Sequence, residues 1–182
     1  MILAITVTGK DRPGIVAALT GALYRAGGNL EDASMTILEG EFAMIFLAAL
    51  PNQSAQDRFS STLNELETKS SLVISMKEIR RRLIRGEKHG RGTSPWTISV
   101  LGKDRAGIVY FVSKLLADFK LNITDLNSKI IGTGKKTAYA LVLEADVPKR
   151  SKLFMRIKPQ LAKLEKKLGV RISINSLDSS RF

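Results

Sequence analysis

The chain contains no cysteine and a single histidine, His89. The first absence excludes disulfides, thiolate chemistry and cysteine-ligated metals. The second leaves no material for a histidine-based triad or zinc site. The carboxylates are scattered, with no spaced pair that reads as general acid and base, so no catalytic activity, cofactor or metal is expected. No apolar run approaches the ~20 residues of a membrane helix. The apolar N-terminus alternates at Leu3, Ile5 and Val7 and lacks a basic leader, so it reads as a strand and not as a signal peptide. A soluble, cytoplasmic protein without a membrane partner is the expectation.

A long-period repeat dominates what is present. Gly9-Lys10-Asp11-Arg12-Pro13-Gly14-Ile15-Val16 returns 93 residues later as Gly102-Lys103-Asp104-Arg105-Ala106-Gly107-Ile108-Val109, with seven of eight positions identical. At the same offset Asn29 matches Asn122, Asp32 matches Asp125, and Leu3, Ile5 and Val7 match Trp96, Ile98 and Val100. Two copies of roughly 80–90 residues each suit paired small domains and not a solenoid. The hydrophobic content of 44% and charged content of 25% are ordinary for globular domains.

Charge separates the copies. The net charge is +12, yet residues 1–78 hold 6 Lys or Arg against 9 Asp or Glu, residues 79–94 hold 6 against 1, and residues 95–182 hold 17 against 7. The run Arg80-Arg81-Arg82-Leu83-Ile84-Arg85, with Lys88 and Arg91, could meet nucleic acid or an acidic partner. A solvated basic linker explains it better, and a nucleic-acid role is not favoured.

Each copy reads strand, helix, strand, strand, helix, strand. Alternation at 3, 5 and 7 is a strand. Ile15, Leu19, Ala22, Leu23 and Ala26 form one helix face, and Gly27-Gly28 ends the helix. Strands follow over 29–38 and 42–50, joined by a turn at Glu39-Gly40-Glu41. Phe59, Leu63 and Leu66 mark a second helix, and Leu72, Ile74 and Met76 a last strand. In the second copy, Pro159 lies within the pattern of the final helix and should kink it or mark its true start. Gly132-Thr133-Gly134-Lys135-Lys136 is only a fragment of a phosphate loop, in a strand–strand turn. The order predicts an α+β protein: two ferredoxin-like βαββαβ modules, each a four-stranded antiparallel sheet with two helices on one face. The boundaries fall at 1–79 and 95–178, with a basic linker over 80–94. Phe42 to Leu47 is apolar on both faces, which predicts packing against another module or copy.

The turn Asp11-Arg12-Pro13-Gly14 stands between a strand end and a helix start, where unpaired N–H groups attract carboxylates. Pro13 suits a first helical turn, and Gly14 would let a ligand approach closely. Asp11 could receive an ammonium or cap the helix. Asn29 offers both donor and acceptor. These groups suit an amino acid, although capping, tight packing and turn stabilisation explain the same residues.

The strings Asp11-Arg12-Pro13-Gly14-Ile15-Val16, Asn29-Leu30-Glu31-Asp32 and Gly40-Glu41-Phe42 resemble an ACT domain, and nearly the whole chain resembles the tandem-ACT glycine cleavage system transcriptional repressor family. The second copy departs at Ala106 and at Thr124-Asp125. The resemblance implies a non-enzymatic regulatory protein that binds a small amino acid, with glycine the specific inference. It also implies a homodimer or other ACT-mediated oligomer and action through a protein partner. The site implied lies between the first loop of one module and the second strand of another. Carried over by residue, it comprises Asp11, Arg12, Pro13, Gly14, Ile15 and Asn29, and in the second copy Asp104, Arg105, Gly107, Ile108 and Asn122. Similar modules head formyltetrahydrofolate deformylases and phosphoserine phosphatases, and 182 residues are expected to leave no room for those catalytic domains. A basic nucleic-acid binder using the linker and second module is the alternative. It lacks paired aromatics for base stacking, offering only Trp96 and Tyr139.

Overall fold

A computed structural model describes residues 1–80, 89–90, 92–132, 137–149 and 152–177. The chain forms two units, Met1–Gly86 and Glu87–Phe182. The first contains β1 (Ile2–Lys10), α1 (Ile15–Arg25), β2 (Asn29–Leu38), β3 (Glu41–Ala49), α2 (Gln53–Ser70) and β4 (Val73–Glu78). The second repeats the order with β5 (Thr93–Gly102), α3 (Ile108–Asp118), β6 (Asn122–Ile131), β7 (Ala138–Pro148), α4 (Leu153–Leu168) and β8 (Val170–Ser176). The sheets run β2-β3-β1-β4 and β6-β7-β5-β8, with every neighbouring pair antiparallel. No helix among the described residues is long and apolar enough to cross a membrane.

Period-two alternation builds each core. In the first unit Leu3, Ile5 and Val7 of β1 and Phe42, Met44, Phe46 and Ala48 of β3 are buried under Ile15, Leu19 and Leu23 of α1 and Phe59 and Leu63 of α2. Ile98 and Val100, Leu141 and Leu143, Val112 and Leu116, and Ile157 and Leu161 form the matching layers of the second. The intervening residue Ile45 is 50% exposed, so the sheet's other face is open within its own unit. Edge strands β2 and β6 also leave apolar side chains in water, among them Ile37 at 52% and Ile130 at 61%.

Both edge strands carry a bulge at the same place. Register shifts between Leu30 and Asp32, and between Ile123 and Asp125, leave Glu31 and Thr124 as the extra residues. The aspartate after each bulge accepts the next backbone N–H, from Ala33 to Asp32 and from Leu126 to Asp125, each at 2.8 Å. The repeated aspartates therefore make the same local side-chain-to-backbone bond just after each bulge.

Three sequence expectations change. Helix α4 starts at Leu153 and contains Pro159, so the proline does not mark its start. Strand β5 begins at Thr93, inside the stretch read as linker. The first hairpin turn consists of Glu39 and Gly40 alone, with φ of 50° and 83°, the double left-handed pattern of a two-residue turn that follows strand twist. The basic residues 81–88 and Arg91, and Thr133–Lys136 of the glycine-rich turn, lie outside the described residues.

Helices α1 and α3 end alike. Gly28 and Gly27 N–H groups donate back to the Leu23 and Tyr24 carbonyls, as Leu121 and Lys120 do to Leu116 and Ala117. The left-handed position is Gly27 in one copy and Lys120, with φ 57°, in the other. Lys120→Gly should raise the second unit's stability by about 0.5–1 kcal/mol, read as a higher urea midpoint at unchanged slope.

Candidate functional site

The repeated loop has one conformation in both units. Gly14 and Gly107 occupy the N-cap positions of α1 and α3 with φ 94° and 95°, where a side chain would be strained. No side chain caps either helix. Ala18 N–H donates to the Gly14 carbonyl and Phe111 N–H to that of Gly107, both at 2.9 Å. The N–H groups of Ile15 to Ala17, and of Ile108 to Tyr110, thus precede the first intrahelical bond and point out of the helix start.

Asp11 is not the cap. Its backbone N–H donates to the Gly40 carbonyl at 2.8 Å, which ties the loop to the β2–β3 turn. Asp11, Arg12, Pro13 and Gly14 are all exposed. Nothing lies within 4 Å of a Cβ built on Gly14, so tight strand–helix packing is not why glycine stands there. At Gly107 the Phe111 ring comes within 3.1 Å of such a Cβ. Asp104 is exposed like Asp11, but the Arg105 guanidinium lies over Gly169, a Cβ there being 3.5 Å from it. A cation is favourable at that helix C-terminus. Ile15 and Ile108 are each 2% exposed, so only their backbones can face a ligand.

Asn29 and Asn122 sit elsewhere. Asn29 pairs with Ala49, which pairs with Ile2. The loop follows Lys10, at the far end of β1. Eight residues of strand, roughly 26 Å, separate the two places. The structure therefore gathers Asp11, Arg12, Pro13, Gly14 and the Ile15 N–H at one end of the sheet and leaves Asn29 at the other. The second unit does the same with Asp104, Arg105, Gly107 and Ile108 against Asn122. The Asn29 amide donates to Glu31 Oε1 at 3.3 Å.

Sequence reading missed a polar cluster beside Asn122. Asp146, 7% exposed, is the buried charged residue among those described. Its carboxylate accepts the Gly90 N–H at 2.8 Å and meets His89 Nδ1 at 2.8 Å. Asn122 is its cross-strand partner, and together with Thr93 and Lys120 these residues border a 410 Å³ depression. The first unit has Ala49 at the equivalent register position. An aspartate between Ala145 and Val147, at the end of a largely apolar strand, was the available signal, and His89 was read only as linker. Among the described residues, no group of three His, Asp or Glu is placed to hold a metal ion.

A family model described as ACT domain matches residues 1–77. A UPF0237 protein of Methanocaldococcus jannaschii is 31% identical over 85 residues, 47% of this chain and 90% of that protein. A UPF0237 protein of Clostridium acetobutylicum is 35% identical over 77 residues, 42% of this chain and 82% of its own length. Among solved structures, a protein of unknown function from Galdieria sulphuraria aligns over 97% of this chain and 98% of that one, with a TM-score of 0.78 and 25% identity. A candidate glycine cleavage system transcriptional repressor aligns over 97% and 96%, with a TM-score of 0.67 and 24% identity, a likeness of fold.

The Asp146 cluster can be tested directly. Asp146→Ala, which places the residue of the first unit there, should cost the second unit about 1–3 kcal/mol through loss of the carboxylate's bonds to Gly90 N–H and His89. Thermal or urea melts should show the second unit's transition shifted down; an unchanged melt would show that the cluster holds nothing in place.

Proposed function

Because the chain belongs to the ACT-domain family, we propose that it is a non-enzymatic cytoplasmic regulator whose two modules, joined by a basic linker that ends before Thr93, bind a small amino acid. The observation that carries this reading is the repeated loop. In both copies a left-handed glycine opens a helix whose first N–H groups are uncapped, beside an exposed aspartate. The N–H groups and the helix dipole suit a carboxylate. Asp11 suits an ammonium, because its side chain is not used as the cap.

The separation of Asn29 from the loop supports a site shared between modules: the loop of one and the second-strand start of another, in this chain or a second copy. A ligand held that way stabilises one arrangement of modules over another. Differential affinity of this kind is what a regulator needs to act through a partner. Glycine is our first candidate, and transcriptional regulation the role suggested by likeness to the repressor family. A homodimer or other module-mediated oligomer supplies the second half of each site and covers the open sheet faces.

Calorimetric titration of the full chain against the twenty amino acids tests the proposal. Heat is expected with a small amino acid, glycine first. Asp11→Ala should weaken it by about tenfold or more through loss of a charge-assisted bond, with the fold unchanged by circular dichroism. Asp104→Ala should cost less, since the first copy retains the better site. Gly14→Val should abolish binding and Gly107→Val should reduce it less, although the latter also presses on Phe111. No heat at millimolar concentrations of any amino acid would end this reading.

A further inference from the structure

From the groove between α3 and α4 of the second unit, we infer a docking site for an acidic protein segment that carries an apolar or aromatic anchor. The groove, 350 Å³ in volume, has an apolar floor at Phe111, Leu115 and Leu164, with Tyr110 at its mouth. Lys163 and Lys167 line its α4 side; Lys114 lines its α3 side, where it pairs with Asp118 at 3.2 Å, so the net positive charge of the rim comes from α4. The α4 stripe Arg156–Gln160–Lys163–Lys167 extends roughly 16 Å along one helix face. Lys167 Nζ sits 3.9 Å from the Phe111 ring centroid, and Arg156 caps the Phe119 ring at 5.8 Å.

The repeat shows that this face is particular to the second unit. Tyr110 and Phe111 stand where α1 has Ala17 and Ala18, and Lys114 stands where it has Gly21. Helices α3 and α4 carry six Lys or Arg against two acidic residues, whereas α1 and α2 carry three against three. The groove between α1 and α2 has no aromatic lining. Both helix layers share one fold, and only the α3–α4 groove is lined by aromatic rings.

An acidic segment fits the chemistry better than a nucleic acid does. Base stacking needs free ring faces, but Lys167 and Arg156 already cover those of Phe111 and Phe119, leaving Tyr110, at 61% exposure, as the open ring. An apolar floor below a cationic rim instead matches one apolar anchor flanked by carboxylates, the arrangement in which a buried anchor supplies affinity and rim charges supply attraction and orientation. The inference deepens the regulatory reading by naming its partner class, and it rests on that reading only for what the docking would serve.

The test uses the full chain and three fluorescein-labelled probes at low ionic strength: a peptide of alternating Asp and Glu around a central Phe-Leu pair, the same peptide with Ala-Ala at its centre, and a single-stranded oligonucleotide. Fluorescence anisotropy should show the Phe-Leu peptide binding about tenfold tighter than the Ala-Ala peptide, the contribution of a buried anchor. The double variant Lys163→Glu with Lys167→Glu should weaken the Phe-Leu peptide by about tenfold or more. Tyr110→Ala, at an exposed position, should weaken it without altering the melt, while Lys69→Glu on α2 should leave it unchanged. Asp11→Ala should also leave it unchanged, so failure of the docking site and failure of the amino-acid site are distinguishable. Equal binding of the two peptides, equal loss from Lys69→Glu, tighter binding of the oligonucleotide, or no peptide binding at all would each overturn the proposal.

Discussion

Helix α1 returns antiparallel to β1, and that reversal decides where polar chemistry can gather in each unit. The loop that opens the helix lies at one end of the sheet. The strand that follows the helix must start at the other, because β2 runs parallel to β1 with β3 between them. Short loops and a sheet covered on one face leave the chain no other course. The exposed loop Asp11–Gly14 and the exposed Asn29 therefore belong to different ends of one module. No single module brings the two together.

The same return governs the core. With the helices on one side, alternate residues of β1 and β3 are buried while Ile45 and the edge-strand residues Ile37 and Ile130 remain in water. Each sheet keeps an apolar remainder that its own helices cannot cover. The bulges at Glu31 and Thr124 interrupt the edge ladders at matched positions, and the aspartate beside each accepts the N–H of the residue that follows it.

Against this shared frame the copies have diverged at particular positions. Gly27 becomes Lys120 in the same left-handed helix end. Ala49 becomes Asp146, which recruits His89 and Gly90 and holds part of the linker-side segment to the sheet. Arg105 lies over the end of α4 at Gly169. Ala17 and Ala18 become Tyr110 and Phe111. The first copy's loop is tied through the Asp11 backbone N–H to Gly40, whereas the second places Arg105 over Gly169 and carries a basic helical face.

The fold was legible because its signals are local and periodic. Leu3-Ile5-Val7, the Ile15–Leu19–Leu23 stripe and the Gly27-Gly28 stop each report on their neighbours in the chain, and the repeat at Gly9 and Gly102 states the rule twice. The loop residues were legible for the same reason. That Asp11 is not the cap, that Gly14 meets open space, and that Ile15 can offer only its backbone were not, because capping and burial depend on groups brought near by folding. Pro159 within α4 and Thr93 within β5 show tertiary packing overriding a local signal. Sequence by itself determined the duplicated βαββαβ plan and the chemistry of the repeated loop, since pattern and turn residues act within a few positions. Tertiary structure alone decided the distance between loop and Asn29, the Asp146–His89 cluster across 57 positions and the aromatic–cationic groove between α3 and α4, since each joins side chains remote in the chain.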